Sequence, residues 1–141
     1  MPVLWSVSHS TRLVSITVQG TSSLADMIEC VGGIMTPATL SYRKLVDLTE
    51  GSPILSREDI LALAARVDEH VGQNPLGALA VVAVSRESER QARLFASLSA
   101  SDRPCRIFRD VSSAHAWLEA HPWRAPQLWF EADGPEAAAA T

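Results

Sequence analysis

The run Ala78-Leu79-Ala80-Val81-Val82-Ala83-Val84 is the feature that most constrains the fold, because it is apolar throughout. It is far shorter than the roughly 20 residues that a membrane-spanning helix needs. A strand with no polar face is typical of a sheet whose two faces are both covered by helices. We therefore expect an α/β sandwich in which this strand is the most buried one.

Strand-to-helix passages recur along the chain, and each predicted helix opens on a residue that can cap its amino terminus. In the clearest passage, a buried strand leads through a turn-rich loop to Ser56, which with Asp59 forms a capping box pattern. Gly32 and Gly33 are expected to weaken the first helix, although Ile34 and Met35 could continue its apolar stripe before Pro37. The predicted caps are Ser23, Ser56, Ser88, and either Asp110 or Ser112.

The amino-terminal segment predicts a hairpin. Val3, Trp5 and Val7 alternate with other residues, and the run from Leu13 to Val18 alternates again after a turn. A strand that joins a parallel sheet by a hairpin must run antiparallel to its neighbour. The expected fold class is therefore α/β, with a mostly parallel five-stranded sheet, an antiparallel N-terminal edge strand and four helices.

The composition of the 141 residues fits a single globular domain, which we place at residues 1–120. Residues 121–141 form a tail rich in proline, aromatic residues and alanine. Since Trp123, Trp129 and Phe130 are large apolar groups, we expect the tail to pack up to about Phe130 against its own domain or a second subunit.

The net charge of −4 gives no general attraction to nucleic acid or to an anionic membrane. Cys30 and Cys105 are far apart and form no metal or redox motif, so we expect two buried thiols in a reducing compartment. No secretion signal or membrane span is predicted. We expect a cytoplasmic protein with no cofactor, no nucleic acid partner and no stable membrane insertion.

Candidate chemistry centres on the loop after the strand that ends at Asp47, because ligand sites of α/β sheets gather at strand carboxyl ends. Asp47 and Glu50 could form an acid pair, although a loop carboxylate bonded to nearby amides is the commoner arrangement. Ser56 could accept a phosphate, but its cap role explains it fully. Ser52 lies in the same candidate interaction loop. The four histidines, at positions 9, 70, 115 and 121, lack metal-ligand spacing.

The run Lys44-Leu45-Val46-Asp47-Leu48-Thr49, with a helix start nine residues after Asp47 at Ser56, resembles the STAS (SpoIIAA-like) domains of the anti-sigma-factor antagonist family. The segments 80–84, 107–110 and 114–118 resemble STAS-like bacterial proteins of unknown role, and the resemblance covers residues 3 to 120. It implies a SpoIIAA-like sandwich. In signalling members a serine at the second helix start is phosphorylated, which maps to Ser56. Those members have Asp before the serine and a small residue and Gly after it, whereas here Leu55 precedes the serine and Arg57-Glu58-Asp59 follows it. The two acids would oppose a phosphate by like-charge repulsion.

Three kinds of function stay open, ranked in this order. The first is a non-catalytic regulatory module that binds a partner protein or a second copy of itself as a homodimer. The second is a small apolar-ligand or lipid binder, which a deep pocket lined by Trp5, Met27, Met35 or Phe95 would favour. The third is an enzyme that uses Asp47 and a histidine, which would need those groups in contact in one cleft.

Overall fold

The computed structural model describes residues 2–71, 76–98 and 103–121, and seven strands and four helices lie in these ranges. The strands are β1 (Val3–Ser8), β2 (Leu13–Val18), β3 (Gly20–Ser22), β4 (Arg43–Asp47), β5 (Gly51–Pro53), β6 (Leu79–Val82) and β7 (Cys105–Phe108). The helices are α1 (Leu24–Ile34), α2 (Arg57–Val71), α3 (Arg86–Leu98) and α4 (Val111–Glu119).

Five strands form one sheet in the order β1, β2, β4, β6, β7. β1 pairs antiparallel with β2 and lies at an edge, and the other neighbours pair in parallel. The predicted fold class is confirmed, including the antiparallel N-terminal edge strand. All four residues of β6 are buried, as the apolar run predicts.

The strand order determines where the helices lie. From β2 onward each crossover moves one strand further in the same direction, and crossovers between parallel strands are almost always right-handed. Three such crossovers place α1, α2 and α3 on one face of the sheet, where α2 packs against both neighbours. α4 follows the last strand and packs on β4, β6 and β7 from the other face.

The core accordingly has two parts, because successive side chains of a strand point to opposite faces. Val46 and Val81 belong to the larger cluster beneath α1 to α3. Leu45 and Val82 belong to the smaller cluster, together with Ala114 and Leu118 of α4 and other residues. The sheet is thus covered on both faces along β4 and β6.

A second, two-stranded sheet of β3 and β5 is absent from the sequence prediction. β2 and β4 each continue past a short break into these strands, which pair in parallel. Gly51 makes the pairing possible, since a Cβ there would lie 2.3 Å from both the nitrogen and the oxygen of Gly20. No side chain fits between backbones at that distance.

The caps of three helices are confirmed. Ser23 and Asp26 form a capping box, and Asp110 accepts from the Ser113 amide at 2.7 Å. Ser56 accepts from the Asp59 amide at 3.1 Å, while Asp59 accepts from the Ser56 amide at 3.0 Å.

The predicted cap at Ser88 is wrong. α3 begins one turn earlier, where Ser85 Oγ accepts from the Ser88 amide at 3.0 Å. Both serines can cap a helix, and the choice of Ser85 leaves the buried Ser88 hydroxyl to donate to Ser52 Oγ at 2.8 Å. The tertiary hydrogen bond accounts for the difference.

Two further expectations concern the cysteines and the tail. Cys30 is buried, but Cys105 is exposed because it lies on the edge strand β7, so the prediction of two buried thiols is wrong for Cys105. The tail with Trp123, Trp129 and Phe130 lies outside the described residues, and its packing stays a prediction.

The glycine pair of α1 does not end the helix, which continues to Ile34. The two glycines have different surroundings. A Cβ on Gly33 would lie 2.5 Å from Cζ2 of Trp5, whereas a Cβ on Gly32 would meet nothing within 4 Å. Because Gly33 has no side chain, it leaves room for the Trp5 indole to pack between β1 and α1.

This contrast predicts opposite effects for two matched substitutions. Gly33→Ala is expected to destabilise the protein by roughly 1–3 kcal/mol, because the Trp5 ring must move. Gly32→Ala is expected to stabilise it by roughly 0.5–1 kcal/mol, because alanine loses less backbone entropy in a helix. Urea unfolding of both variants measures the difference, and equal effects would contradict this account of Gly33.

Candidate functional site

The predicted loop after β4 is organised by local hydrogen bonds. Asp47 Oδ1 accepts from the amide of Thr49 at 2.9 Å and from its hydroxyl at 2.6 Å. Glu50 is exposed, and its carbonyl oxygen accepts from the Gly20 amide at 3.1 Å. Asp47 therefore accepts hydrogen bonds within its own turn, which is the arrangement that the sequence favours over an acid pair with Glu50.

Ser52 and Ser56 have separate surroundings. Ser52 is half-buried, and its hydroxyl receives the hydrogen bond from Ser88 described above, which ties β5 to α3. Ser56 is exposed and caps α2. The loop thus contains one serine that is held inside the structure and one that is accessible at a helix start.

Ser56→Ala is expected to destabilise the protein by roughly 0.5–2 kcal/mol, because an orphan amide of α2 loses its acceptor. Thermal unfolding measures this loss. Ser112→Ala is the matched control, since Ser112 is exposed on α4 without being its cap, and its effect should stay within about 0.5 kcal/mol. Equal effects in the two variants would mean that the Ser56 cap contributes nothing.

The described histidines do not join Asp47. His9 bonds to the Tyr42 hydroxyl at 2.8 Å, at the edge where the parallel strands begin, whereas Asp47 lies where β4 ends. The other histidines lie near the end of α2, on α4 and just after α4; they are His70, His115 and His121. Among the described residues, no group of three His, Cys, Asp or Glu side chains is placed to hold a metal ion.

The structure reveals a cavity that the sequence does not. It lies between the sheet and the α1, α2, α3 layer, and its volume is about 120 Å³. Side chains of β2, β4 and β6 form its floor, and all three helices contribute to its walls. Its lining is almost entirely apolar, and includes Ile16, Val46 and Val81 from the sheet and Met27, Met35 and Phe95 from the helix side.

Lys44 lies at one end of this cavity and is only 1% exposed. Its ammonium donates to the carbonyl oxygens of Thr39, Leu40 and Tyr42 at 3.3, 2.9 and 2.9 Å. These bonds use all three donors of the group. Burial and the Arg103 guanidinium lower the pKa of Lys44 to about 7, while the three acceptors favour its charged form.

Arg103 also lines the cavity, just before β7. Burial lowers its pKa, and Cys105 and Asp68 act in the opposite direction. Cys105 is exposed as a residue, yet it lines the cavity, and burial of its thiol raises the pKa while Arg103 lowers it. Burial raises the pKa of the Cys30 thiol to about 12.

Lys44 carried a sequence signal, whereas Arg103 carried none. Lys44 lies directly before Leu45, at the start of the strand that is predicted to be buried and to end at Asp47. A charged residue there is unusual and needs a partner. Arg103 lies in a polar stretch after α3 that reads as an ordinary loop.

A solved structure has a similar architecture. It is the crystal structure of an uncharacterized DUF3478-family protein from Shewanella loihica PV-4, described as having a SpoIIAA-like fold. The TM-score is 0.57 at 14% identity, and the match covers 82% of this chain and 93% of that one. This chain has a SpoIIAA-like fold. The fold implied by the resemblance around Asp47 is therefore confirmed.

The SpoIIAA-like likeness extends to the fold alone at this level of identity. No protein-family model and no curated protein sequence matches the chain. In the described ranges, none of the helices has the length and apolar character needed to cross a membrane.

Proposed function

We propose that this SpoIIAA-like protein is a non-catalytic binding module whose ligand is a small apolar molecule held between the sheet and α1, α2 and α3. The observation that carries the proposal is the apolar cavity of about 120 Å³. Of the four side chains expected to line a ligand pocket, Met27, Met35 and Phe95 do so, while Trp5 packs on Gly33 instead.

The size and lining of the cavity support this proposal over a packing defect. Unfilled volume in a sealed core costs roughly 24 cal/mol per Å³, so a cavity of about 120 Å³ costs at most about 3 kcal/mol of stability. An apolar cavity of comparable size, about 150 Å³, stays dry and accepts benzene in another protein. A small apolar ligand that fills the cavity would recover part of this free energy on binding.

The two cavity methionines provide a direct test. The protein labelled with ¹³C at its methionine methyl groups is titrated with 1-octanol and followed by NMR. The methyl signals of Met27 and Met35 are expected to shift in a saturable manner. If neither signal responds while the protein stays folded, the cavity does not take up an apolar ligand and the proposal is wrong.

A variant with a larger side chain in the cavity tests whether the ligand binds there. Ala92 lines it from α3, so Ala92→Leu is expected to occupy part of the volume and weaken 1-octanol binding. Ala65→Leu is the matched control, because Ala65 is exposed on α2. Unchanged affinity in Ala92→Leu would place the ligand elsewhere.

A protein-interaction module is the second candidate, and a specific surface favours it. Ile54 and Leu61 are 70% and 54% exposed and flank the Ser56 cap in sequence. The partner would be another protein or a second copy of this chain. Ile54→Ser combined with Leu61→Ser should abolish a complex seen in affinity purification or light scattering. Leu4→Ser, which alters a 45% exposed residue of β1, should leave it intact.

A further inference from the structure

The two ends of the cavity differ in polarity. Lys44, Arg103 and Cys105 lie at the end where the parallel strands begin, and Leu48 and Pro53 lie beyond the end of β4. Four residues of strand separate Lys44 from Leu48, which corresponds to about 13 Å. The cavity therefore extends along the strand direction, with its cationic groups at one end and an apolar lining along the rest.

Arg103 has unused hydrogen-bonding capacity at the cationic end. Its Nη1 atom is buried and has no hydrogen-bond partner among the described residues. A buried donor without an acceptor costs roughly 1–3 kcal/mol, and more for a charged group. Gln91 Oε1 on α3 is likewise buried without a partner and lines the same cavity. This acceptor suits a hydroxyl group or a water molecule beside a ligand.

The charges at this end are also unbalanced. The cavity lining includes two basic side chains and no Asp or Glu. Asp68 of α2 lies near enough to raise the pKa of Arg103, but no salt bridge joins the two in the part of the chain that is described. The Lys44 ammonium donates only to carbonyl oxygens, which carry no net charge. A buried positive charge of this kind attracts an anion strongly because little solvent screens it.

We propose that the ligand is a small amphiphile, with an apolar chain along the cavity and one anionic head group, a carboxylate in the simplest case, bound by Arg103 beside Lys44. The proposal rests on the proposed function and adds the class of ligand. Arg103 Nη1 donates to the head group in a charge-assisted hydrogen bond. Lys44 keeps its three carbonyl acceptors and contributes its charge.

The test compares two ligands that share a chain and differ in the head group. Octanoate and 1-octanol are titrated separately into the unaltered protein by calorimetry at pH 6.5. Octanoate is expected to bind roughly tenfold to a hundredfold more tightly, the range for a hydrogen bond to a charged group. If both bind equally, the cavity binds apolar ligands and the anionic-head proposal is wrong. If neither binds, the proposed function itself fails.

Substitutions of Arg103 complete the test. Arg103→Met is expected to lower the affinity for octanoate by about tenfold or more while 1-octanol binding is retained. Arg103→Lys should restore part of the difference. Arg106→Met is the control, because Arg106 is exposed on β7 with its guanidinium 5.5 Å from the Phe108 ring centroid. An equal loss in Arg106→Met would indicate nonspecific attraction and would overturn the assignment to Arg103. Should Arg103→Met fail to fold, the comparison of the two ligands on the unaltered protein still decides.

Discussion

Lys44→Met is expected to remove a rise in stability with pH that the unaltered protein shows above neutrality. The pKa of Lys44 is about 7 in the folded protein and 10.5 as the ordinary value for the unfolded chain. Between these values the unfolded state holds a proton that the folded state lacks, so raising the pH favours folding. Below pH 7 Lys44 is protonated in both states. Folding then incurs the full free-energy cost of burying the charged ammonium.

The size of this effect follows from the width of the window. Each pH unit contributes about 1.4 kcal/mol, which gives at most about 5 kcal/mol across the interval from 7 to 10.5. The charged group that acts on Lys44 is Arg103, just before β7, and Arg103 is itself influenced by Cys105 on β7 and Asp68 on α2. Subtracting the variant from the unaltered protein at each pH cancels the contributions of groups whose titration does not depend on Lys44.

Urea unfolding at pH 6, 7.5 and 9 measures the difference in free energy of unfolding between the two proteins. The free energy of unfolding of the unaltered protein should rise relative to that of Lys44→Met as the pH increases. Arg106→Met, which removes an exposed cation, should show no comparable trend. A difference independent of pH would mean that the carbonyls of Thr39, Leu40 and Tyr42 keep Lys44 protonated throughout.

Leu118→Ala is expected to cost roughly 2–5 kcal/mol of stability, the range for truncating a fully buried leucine. Leu118 is 1% exposed and packs with Ala114 in the cluster beneath α4. Its carbonyl oxygen also accepts from Arg43 Nη1 at 2.8 Å, and the alanine variant keeps that bond. The measured loss therefore reports side-chain packing.

Leu61→Ala is the matched control for this prediction. Leu61 is also a helical leucine, but it is 54% exposed, so its truncation should change the free energy of unfolding by about 0.5 kcal/mol or less. Chemical denaturation of both variants gives the comparison. A cost below about 1 kcal/mol for Leu118→Ala would show that α4 contributes little to the core.

The regular elements were predictable from the sequence because their signals are local. Hydrophobic alternation gives β1 and β2, and the capping residues Ser23, Ser56 and Asp110 mark three helix starts. The three strand-helix-strand passages then predict parallel neighbours in the sheet. Ser88 was misassigned because two serines of one segment can both cap, and the choice depends on Ser52, 36 residues away.

The cavity and the β3 and β5 pair were not predictable in this way. Each of those strands has three residues, too few to show a period, and the pair depends on the approach of Gly20 to Gly51. The cavity depends on how far α1, α2 and α3 stand from the sheet, a distance that no local pattern encodes. Lys44, a charged residue at the start of a predicted buried strand, is the sequence feature from which a polar group in the interior could have been expected.

The order of the main sheet has a consequence for how the protein is made. Its strands lie side by side in the same sequence in which they occur along the chain. Each new strand therefore pairs with the edge left by the one before it, and no strand has to enter between two that are already paired. The sheet can grow from the amino-terminal hairpin toward β7 as the polypeptide leaves the ribosome, so synthesis and assembly proceed in one direction.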